Sequence, residues 1–284
     1  MSTSGKTPSN PAPSKKLHQR QGSFFRRLDV RLPWLKLVAV LVIGAIAIFD
    51  LLDFTISKIN DPEDHVKTAP MSRHVKITER TLEGKKLVAL TFDDGPSPET
   101  TPKLLDLLTE KDAPATFFML GSMARTNPDI VKRIRKEHHE VASHTMYHQN
   151  LIRIPDDATR ADINEAKAVF NDIINHGPSY TRPPYGNINT TITDAVGTPI
   201  ILWSVDTEDW RSKNTDAIIN TTMSEVYDGA IILMHDIYPT SVEAVPALID
   251  TLRQNGYELA TISELATAKN LTLIPGVIYY DLLP

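Results

Sequence analysis

Two adjacent carboxylates, Asp93 and Asp94, follow directly on an apolar run that spans residues 87–92. Like charges at this distance oppose each other's ionisation, so the pair is either solvated or stabilised by a neighbouring cation. A bound metal ion would be such a cation, and it would let one carboxylate act as a ligand while the other remains beside it as a base. The pair therefore indicates a candidate metal site at the end of a buried strand.

His144 and His148 are four positions apart, a spacing that places both imidazoles on one face of a helical turn. Alone, such a pair indicates little, because most are surface or core histidines. A carboxylate from the first strand end would complete a site of two histidines and one carboxylate. Such sites suit Zn²⁺ as well as other divalent metals, and they leave positions open for water and substrate.

Two further residues have side chains suited to proton transfer and charge stabilisation. His235 ends another apolar run and could protonate a leaving group, with a nearby acid to orient its ring. Arg182 is a permanent cation that could hold a carboxylate base ionised and in place. A base, a metal-bound water and an acid together indicate metal-assisted hydrolysis of an acyl bond.

Strands and helices alternate from about residue 82 onward. Apolar runs predict strands at 87–92, 115–120, 139–142, 179–182, 199–205, 230–234 and 257–260. Helical segments are predicted near 100–111, 127–137, 156–175, 187–196, 214–227, 240–255 and 262–269. This alternation is typical of parallel βα units and predicts an α/β fold, a small and incomplete β/α barrel, with a doubly wound open sheet as the alternative.

The polar residues favour the barrel, because five clusters of them follow predicted strands. The clusters are Asp93 with Asp94, His144 with His148, Arg182, Asp206 with Asp209 and Trp210, and His235. The carboxyl ends of parallel strands share one face of a barrel, which is where active sites form. We therefore expect side chains that are far apart in sequence to converge there.

Five segments carry a family resemblance: TFDDGP, SHTMYH, TRPPYG, DTEDW and LMHD, in this order. They resemble the five motifs of the polysaccharide deacetylases of carbohydrate esterase family 4, the NodB-homology domain. The resemblance covers about residues 85–268 and implies a distorted (β/α)7 barrel that deacetylates a glycan.

The resemblance also implies roles. Asp93 matches the catalytic base, Arg182 the arginine that holds it, and His235 the general acid, which Asp209 would tune. The metal ligands would be Asp94, His144 and His148, binding one divalent ion, with Zn²⁺ preferred over Co²⁺, Mn²⁺ or Ni²⁺. On the substrate side, the backbone N–H of Tyr185 would bind the oxyanion, and Trp210 and Leu233 would wall the acetyl pocket.

Several of these side chains could have structural roles instead of functional ones. Leu233 and Trp210 could equally be core residues, Asp206 could be structural, and Tyr147 and Tyr185 could line a sugar groove or cap the barrel. Trp203 is predicted to be core. His138 and His139 lie on a charged helix end and are predicted to be solvated.

Charge is distributed unevenly along the 284 residues, whose net charge is −5. Residues 1–36 carry eight Lys or Arg and one acid, whereas the rest carries 22 basic and 34 acidic residues. A basic head on an acidic body argues against nucleic acid as a partner of the body. The absence of cysteine excludes disulfides and thiolate metal sites.

An apolar stretch follows the basic head. Its uninterrupted part, 37–49, is shorter than the ~20 residues that cross a bilayer, but residues 34–54 together are long enough. We expect a cytoplasmic basic tail (1–33), a single transmembrane anchor (34–54), an extracellular stalk (55–80), a deacetylase domain (81–268) and an apolar segment packed on the barrel (269–284). A buried helix, or a signal peptide cleaved after the Ala45–Ala47 segment, is the alternative for 34–54.

Three kinds of function follow. The leading hypothesis is a membrane-anchored, metal-dependent N-deacetylase of an extracellular glycan, with peptidoglycan N-acetylglucosamine as substrate. The enzymatic alternatives are O-deacetylation of xylan or another acetylated glycan, and deacetylation of chitooligosaccharides or an exopolysaccharide. The alternative outside catalysis is a silent glycan-binding module of the wall. The sequence does not fix the oligomeric state.

Overall fold

The computed structural model describes residue 82 and residues 84–283. The tail, anchor and stalk predicted for residues 1–80 lie outside the described residues. Within the described part, no helix combines the length and hydropathy that a membrane span requires.

The described residues form eight strands and nine α-helices. The strands are β1 (Lys86–Asp93), β2 (Thr116–Met119), β3 (Glu140–Ser143), β4 (Ile200–Ile201), β5 (Val205–Asp206), β6 (Ile231–His235), β7 (Tyr257–Ala260) and β8 (Ile278–Tyr279). The helices are α1 (Thr101–Glu110), α2 (Gly121–Thr126), α3 (Pro128–Lys136), α4 (Asp156–Ile174), α5 (Thr190–Val196), α6 (Asp209–Ser212), α7 (Thr215–Glu225), α8 (Pro239–Gln254) and α9 (Ile262–Ala268). Two short 3₁₀ turns lie at Leu151–Arg153 and Pro184–Gly186.

The strands pair in parallel around a central β1. β1 pairs with β2 on one side and with β6 on the other, and its first half also pairs with β7. β3 extends the sheet beyond β2, and β5 extends it beyond β6. Past β3, Thr181 bridges Ser143 to Ile200, and β4 then pairs with β8. The predicted α/β fold with a parallel sheet is confirmed, and in the described residues no ladder joins β4 to β5.

Two predicted strands differ from the structure. The segment 179–182 pairs only through Thr181, which bridges to Ser143 on one side and to Ile200 on the other, because the prolines that follow Arg182 lack the N–H groups that a ladder needs. The segment 199–205 divides into β4 and β5. The amide of Leu202 bonds to the carbonyl of Tyr279, whereas that of Ser204 bonds to Ile231, so the chain changes neighbours between them.

Both faces of β1 are buried, as expected for a central strand of a parallel sheet. One face packs Val88, Leu90 and Phe92 against the helices. On the opposite face, Leu87 and Ala89 belong to an inner apolar cluster. Because side chains alternate along a strand, that inner face continues with Thr91 and Asp93. The interior of the sheet thus becomes polar at the carboxyl end of β1.

The C-terminal segment packs against two parts of the sheet. β8 pairs with β4, and beyond it the amide of Leu282 bonds to the carbonyl of Gly229, just before β6. Leu282 is fully buried. Gly229 has a φ of +97°, and a Cβ built there would lie 2.6 Å from the Leu282 carbonyl oxygen.

We expect Gly229→Ala to destabilise the protein more than Gly256→Ala. Gly256 also has a positive φ, +84°, but an added Cβ meets nothing within 4 Å, so its substitution incurs only the backbone cost of about 1–2 kcal/mol. The free energy of unfolding, measured by denaturant titration, distinguishes the two variants. Equal losses would show that the contact with Leu282 contributes nothing.

Candidate functional site

A cavity of about 460 Å³ opens at the carboxyl ends of the strands. Its lining residues are Asp93, Asp94, His144, His148, Tyr185, Trp203, Asp206, Trp210, Leu233, His235 and Tyr238. Eight of the ten predicted site residues are among them. The other two, Arg182 and Asp209, contact Asp93 and His235 respectively. The structure therefore brings all the predicted site residues together.

Arg182 holds Asp93. Its guanidinium is fully buried and donates a hydrogen bond of 2.6 Å to Oδ1 of Asp93, which is itself 3% exposed. Burial raises the pKa of Asp93 above its ordinary value, and the charge of Arg182 opposes that rise. The second oxygen, Oδ2, lies 3.7 Å from Nε2 of His144, and Asp93 lines the cavity. Asp93 thus presents one fixed and one available oxygen, as a proton acceptor requires.

Asp94, His144 and His148 present ligand atoms to one point. Asp94 Oδ1 lies 3.6 Å from Nε2 of His144 and 3.3 Å from Nε2 of His148, and all three atoms lie within 4.8 Å of one another. Ligands about 2.1 Å from a tetrahedral Zn²⁺ would be about 3.4 Å apart. Asp94 Oδ1 is buried and has no hydrogen-bond partner among the described residues. These residues fit a divalent cation.

The state of His144 supports the same conclusion. Its Nδ1 lies 2.7 Å from the carbonyl oxygen of Arg182 and donates to it, which leaves the lone pair on Nε2 facing Asp94. Burial lowers the pKa of His144 to about 3, so the ring is neutral, as a metal ligand must be.

The two histidines do not lie on a helix, and this corrects the helical turn expected from their spacing. Residues 144–150 follow β3 as a loop, and Thr145 and His148 have positive φ values of 72° and 55°. The loop packs where α2 begins, because the amides of Gly121 and Ser122 donate to the carbonyls of Thr145 and Met146. Asp94 also has a left-handed backbone, with φ of 75°. Its carboxylate therefore does not point in the direction that a continued β1 strand would give it.

Asp209 holds His235, and each of its two carboxylate oxygens accepts two hydrogen bonds. Oδ1 accepts from His235 Nδ1 at 2.8 Å and from the amide of Trp210, whereas Oδ2 accepts from the amide of His235 and from the Ser241 hydroxyl. Burial alone would lower the pKa of His235, but the hydrogen bond and charge of Asp209, with the charges of Asp93 and Asp94, raise it to about 9. His235 is therefore protonated at neutral pH and suited to donate a proton.

The walls of the cavity are largely aromatic. Leu233 is 4% exposed, and Trp210 is 48% exposed, so Trp210 is not a core residue. Tyr185 is 60% exposed and packs edge-on against the His148 ring. Its amide donates to no acceptor among the residues that the structure describes. The ring and the amide of Tyr185 are both placed where a substrate could contact them.

Two lining residues were missed from the sequence. Trp203 was predicted to be core; it is partly buried and packs against two apolar clusters, and it also lines the cavity, because the chain leaves β4 just before it. Tyr238 follows His235 by three positions, and its ring lies 5.9 Å from that imidazole. The proximity of Tyr238 to the LMHD segment was the only signal in the sequence.

Three other expectations concern residues near these motifs. His138 is exposed, as expected, but the prediction that His139 is solvated is wrong: it is 7% exposed, and its Nδ1 accepts from the amide of Ala115. Tyr147 is 49% exposed and its hydroxyl donates to Glu165. Asp206 lines the cavity, and its Oδ1 accepts from the amide of Glu208.

Comparison with known proteins places this site in a family. A family profile described as polysaccharide deacetylase matches residues 81–198. The peptidoglycan-N-acetylglucosamine deacetylase PgdA of Listeria monocytogenes is 39% identical over 79% of this chain and 48% of its own length. The peptidoglycan-N-acetylmuramic acid deacetylase PdaC of Bacillus subtilis is 40% identical over 65% of this chain and 40% of its own. The chain thus spans about half the length of these curated relatives, or less.

Solved structures extend the similarity to the fold. The structure of peptidoglycan deacetylase PdaC from Bacillus subtilis aligns with a TM-score of 0.64 at 39% identity, covering 66% of this chain and 93% of that one. A family 4 acetyl xylan esterase from Clostridium thermocellum, in complex with a cobalt ion, aligns with a TM-score of 0.66 at 30% identity, covering 69% and 99%. On these similarities, this chain belongs to the polysaccharide deacetylase family.

Proposed function

We propose that this protein is a metal-dependent hydrolase that removes acetyl groups from N-acetylated amino sugars of an extracellular glycan, with peptidoglycan N-acetylglucosamine as the preferred substrate. The observation that carries the proposal is one cavity lined by a carboxylate held by Arg182 and a protonated imidazole held by Asp209, beside three convergent metal-ligand atoms. A silent glycan-binding module would not need this complete set.

The metal would be held by Asp94, His144 and His148, and Zn²⁺ suits these nitrogen and oxygen donors. A divalent cation there would supply Lewis acidity, which lowers the pKa of water and polarises a carbonyl oxygen. The neutral ring of His144 and the unpartnered oxygen of Asp94 are the two features of this chain that favour such binding.

The protons move between this chain's own residues and the substrate. Asp93 accepts at Oδ2 the proton of the attacking water, while Arg182 fixes the other oxygen. As the C–O bond forms, the amide of Tyr185 donates to the carbonyl oxygen on which negative charge develops. His235 gives its Nε2 proton to the sugar nitrogen as the C–N bond breaks, because Asp209 occupies Nδ1. Acetate and a free amine result.

The proposed substrate and the proposed cellular location are supported by different observations. The Listeria and Bacillus relatives are peptidoglycan deacetylases, and the exposed aromatic rings of Tyr185 and Trp210 offer surfaces on which a sugar can pack. The basic residues of 1–33 and the apolar stretch 34–54 support a single-pass anchor, with the N-terminus cytoplasmic and the catalytic domain outside.

We expect the full chain, supplied with Zn²⁺, to release acetate from N-acetylated wall glycan. Mass spectrometry of the digested glycan would show the loss of acetyl groups from N-acetylglucosamine and would distinguish it from loss at N-acetylmuramic acid. Acetylated xylan is the matched counter-substrate, since an acetyl xylan esterase shares the fold. Faster release from xylan than from peptidoglycan would support O-deacetylation, and release from no glycan would support the silent module.

We expect His148→Ala and Asp94→Asn to lose bound metal, because each removes one of the three ligands. Asp93→Asn is the matched control: it removes the neighbouring carboxylate but leaves all three ligands, so it should keep its metal while kcat falls. Metal content after dialysis, measured by atomic spectrometry, tests this. Loss of metal from the Asp93 variant and retention by the Asp94 variant would reverse the two assignments.

We expect activity to fall at high pH as His235 loses its proton, since Asp209 raises the pKa of His235 to about 9. Asp209→Asn removes the charge that raises this pKa, so the alkaline limb of the kcat profile should move to lower pH. Asp206→Asn, which alters another carboxylate of the cavity, should leave that limb in place. His235→Gln should lower kcat by roughly 10²–10⁴-fold. An alkaline limb unchanged in Asp209→Asn would contradict the role of His235 as the acid.

A further inference from the structure

The loop that carries His144 and His148 has backbone groups with identifiable partners. The amide of His144 donates to Met119, at the end of β2, and the amide of Thr145 donates to the hydroxyl of Ser143. The carbonyls of Thr145 and Met146 accept from the first amides of α2. Because buried backbone groups must be paired, these contacts fix most of the path of the loop.

One contact in this set comes from a side chain of a distant helix. Asp162, on α4, accepts a hydrogen bond of 2.7 Å at Oδ1 from the amide of Met146, midway between the two histidines. Asp162 is 6% exposed, and Met146 is fully buried. Burial raises the pKa of Asp162, and the hydrogen bond from the amide of Met146 opposes that rise. The other oxygen, Oδ2, is buried and has no hydrogen-bond partner among the described residues.

The loop needs to be held, because its conformation is not one that its residues prefer. Thr145 is β-branched and has a φ of 72°, and His148 has a φ of 55°. Non-glycine residues with left-handed backbone cost about 1–3 kcal/mol each and persist only where the surroundings enforce them. Asp162 is the charged side chain that reaches this backbone from outside the loop.

His148 depends on the loop more than His144 does. His144 is also oriented by its hydrogen bond to the Arg182 carbonyl. In the part of the chain that the structure describes, the His148 ring neither accepts nor donates a hydrogen bond. It packs against the rings of His144 and Tyr185. Its side chain is 30% exposed. The position of its Nε2 therefore follows from the backbone that Asp162 contacts.

We propose that Asp162 is a positioning residue of the metal site, whose buried carboxylate fixes the loop so that His144 and His148 face Asp94. This inference rests on the proposed metal site. Asp162 is not among the residues that line the cavity, and it acts through the backbone amide of Met146.

Glu165 provides a matched control on the same helix. It lies three residues after Asp162 and also contacts the loop, through the hydroxyl of Tyr147, and it pairs with Arg125 at 2.7 Å. These contacts are at the exposed surface and involve no backbone group of the loop. Glu165→Gln therefore removes a charge at the same helix without removing support from the histidines.

The test is a Zn²⁺ titration of the metal-free full chain, with Co²⁺ substitution as a spectroscopic probe. Asp162→Asn keeps a neutral carbonyl acceptor for the amide of Met146, and Asp162→Ala removes that acceptor altogether. We expect Zn²⁺ affinity to fall about 10–100-fold in Asp162→Ala, the usual effect of losing an outer support of a metal ligand, and to fall less in Asp162→Asn. The Co²⁺ absorption bands should also shift, which a change in global stability alone would not produce.

Melting temperatures measured without metal show whether a variant has lost global stability. Asp162→Asn should melt near the wild type without metal, while Glu165→Gln should match the wild type in both affinity and spectrum. Wild-type affinity and an unchanged Co²⁺ spectrum in Asp162→Ala would overturn the inference, as would an equal loss in Glu165→Gln. Failure of the wild type itself to bind Zn²⁺ would instead overturn the proposed metal site.

Discussion

The guanidinium of Arg182 is completely buried, and all of its hydrogen-bond partners have to come from inside the protein. It donates to Asp93, to the hydroxyl of Thr91 and to two backbone carbonyls at residues 201–202, while its Cζ lies 3.9 Å from the centroid of the Phe118 ring. Breaking such a buried pair costs about 3–5 kcal/mol, because the remaining charge is left without compensation. The carboxyl ends of β1 and β4 are therefore tied to one another through a single side chain.

The same residue reaches the other half of the site through its backbone. The carbonyl of Arg182 fixes the tautomer of His144, so one residue orients both the candidate base and a candidate ligand. Asp209 has the matching role on the acid side: it accepts four hydrogen bonds, one of them from Nδ1 of the His235 ring. Two buried charges of opposite sign thus support, from behind, the two groups that would exchange protons with a substrate.

The apolar runs were sufficient to predict most of the fold. β1, β2, β3, β6 and β7 lie within a residue or two of the predicted strands, because buried parallel strands read as continuous apolar segments between helices. The convergence of Asp93, His144 and His235 followed from their positions at strand ends. Their contacts with Arg182 and Asp209 required a known family pattern, since residues 89 and 26 positions apart carry no local signal of pairing.

Tertiary contacts decided the features that the sequence did not predict. A spacing of four indicated a helical turn for His144 and His148. The path of the loop is set instead by hydrogen bonds to amides of α2 and to a carboxylate of α4. Trp203 lies in the cavity because the chain passes there from one neighbouring strand to another. His139 is buried because its ring accepts from Ala115, across the start of β2 and β3. None of these partners is adjacent in sequence.

The three candidate ligands come from two strand ends, β1 and β3, with β2 between them. An ion bound there would act as a cross-link across the sheet, joining segments 50 or more residues apart in the chain. Ligand present at 1,000 times its dissociation constant stabilises a native state by about 4 kcal/mol, a large share of the stability of a typical domain. Metal supply would then govern how long the protein resists proteolysis, as well as how fast it works.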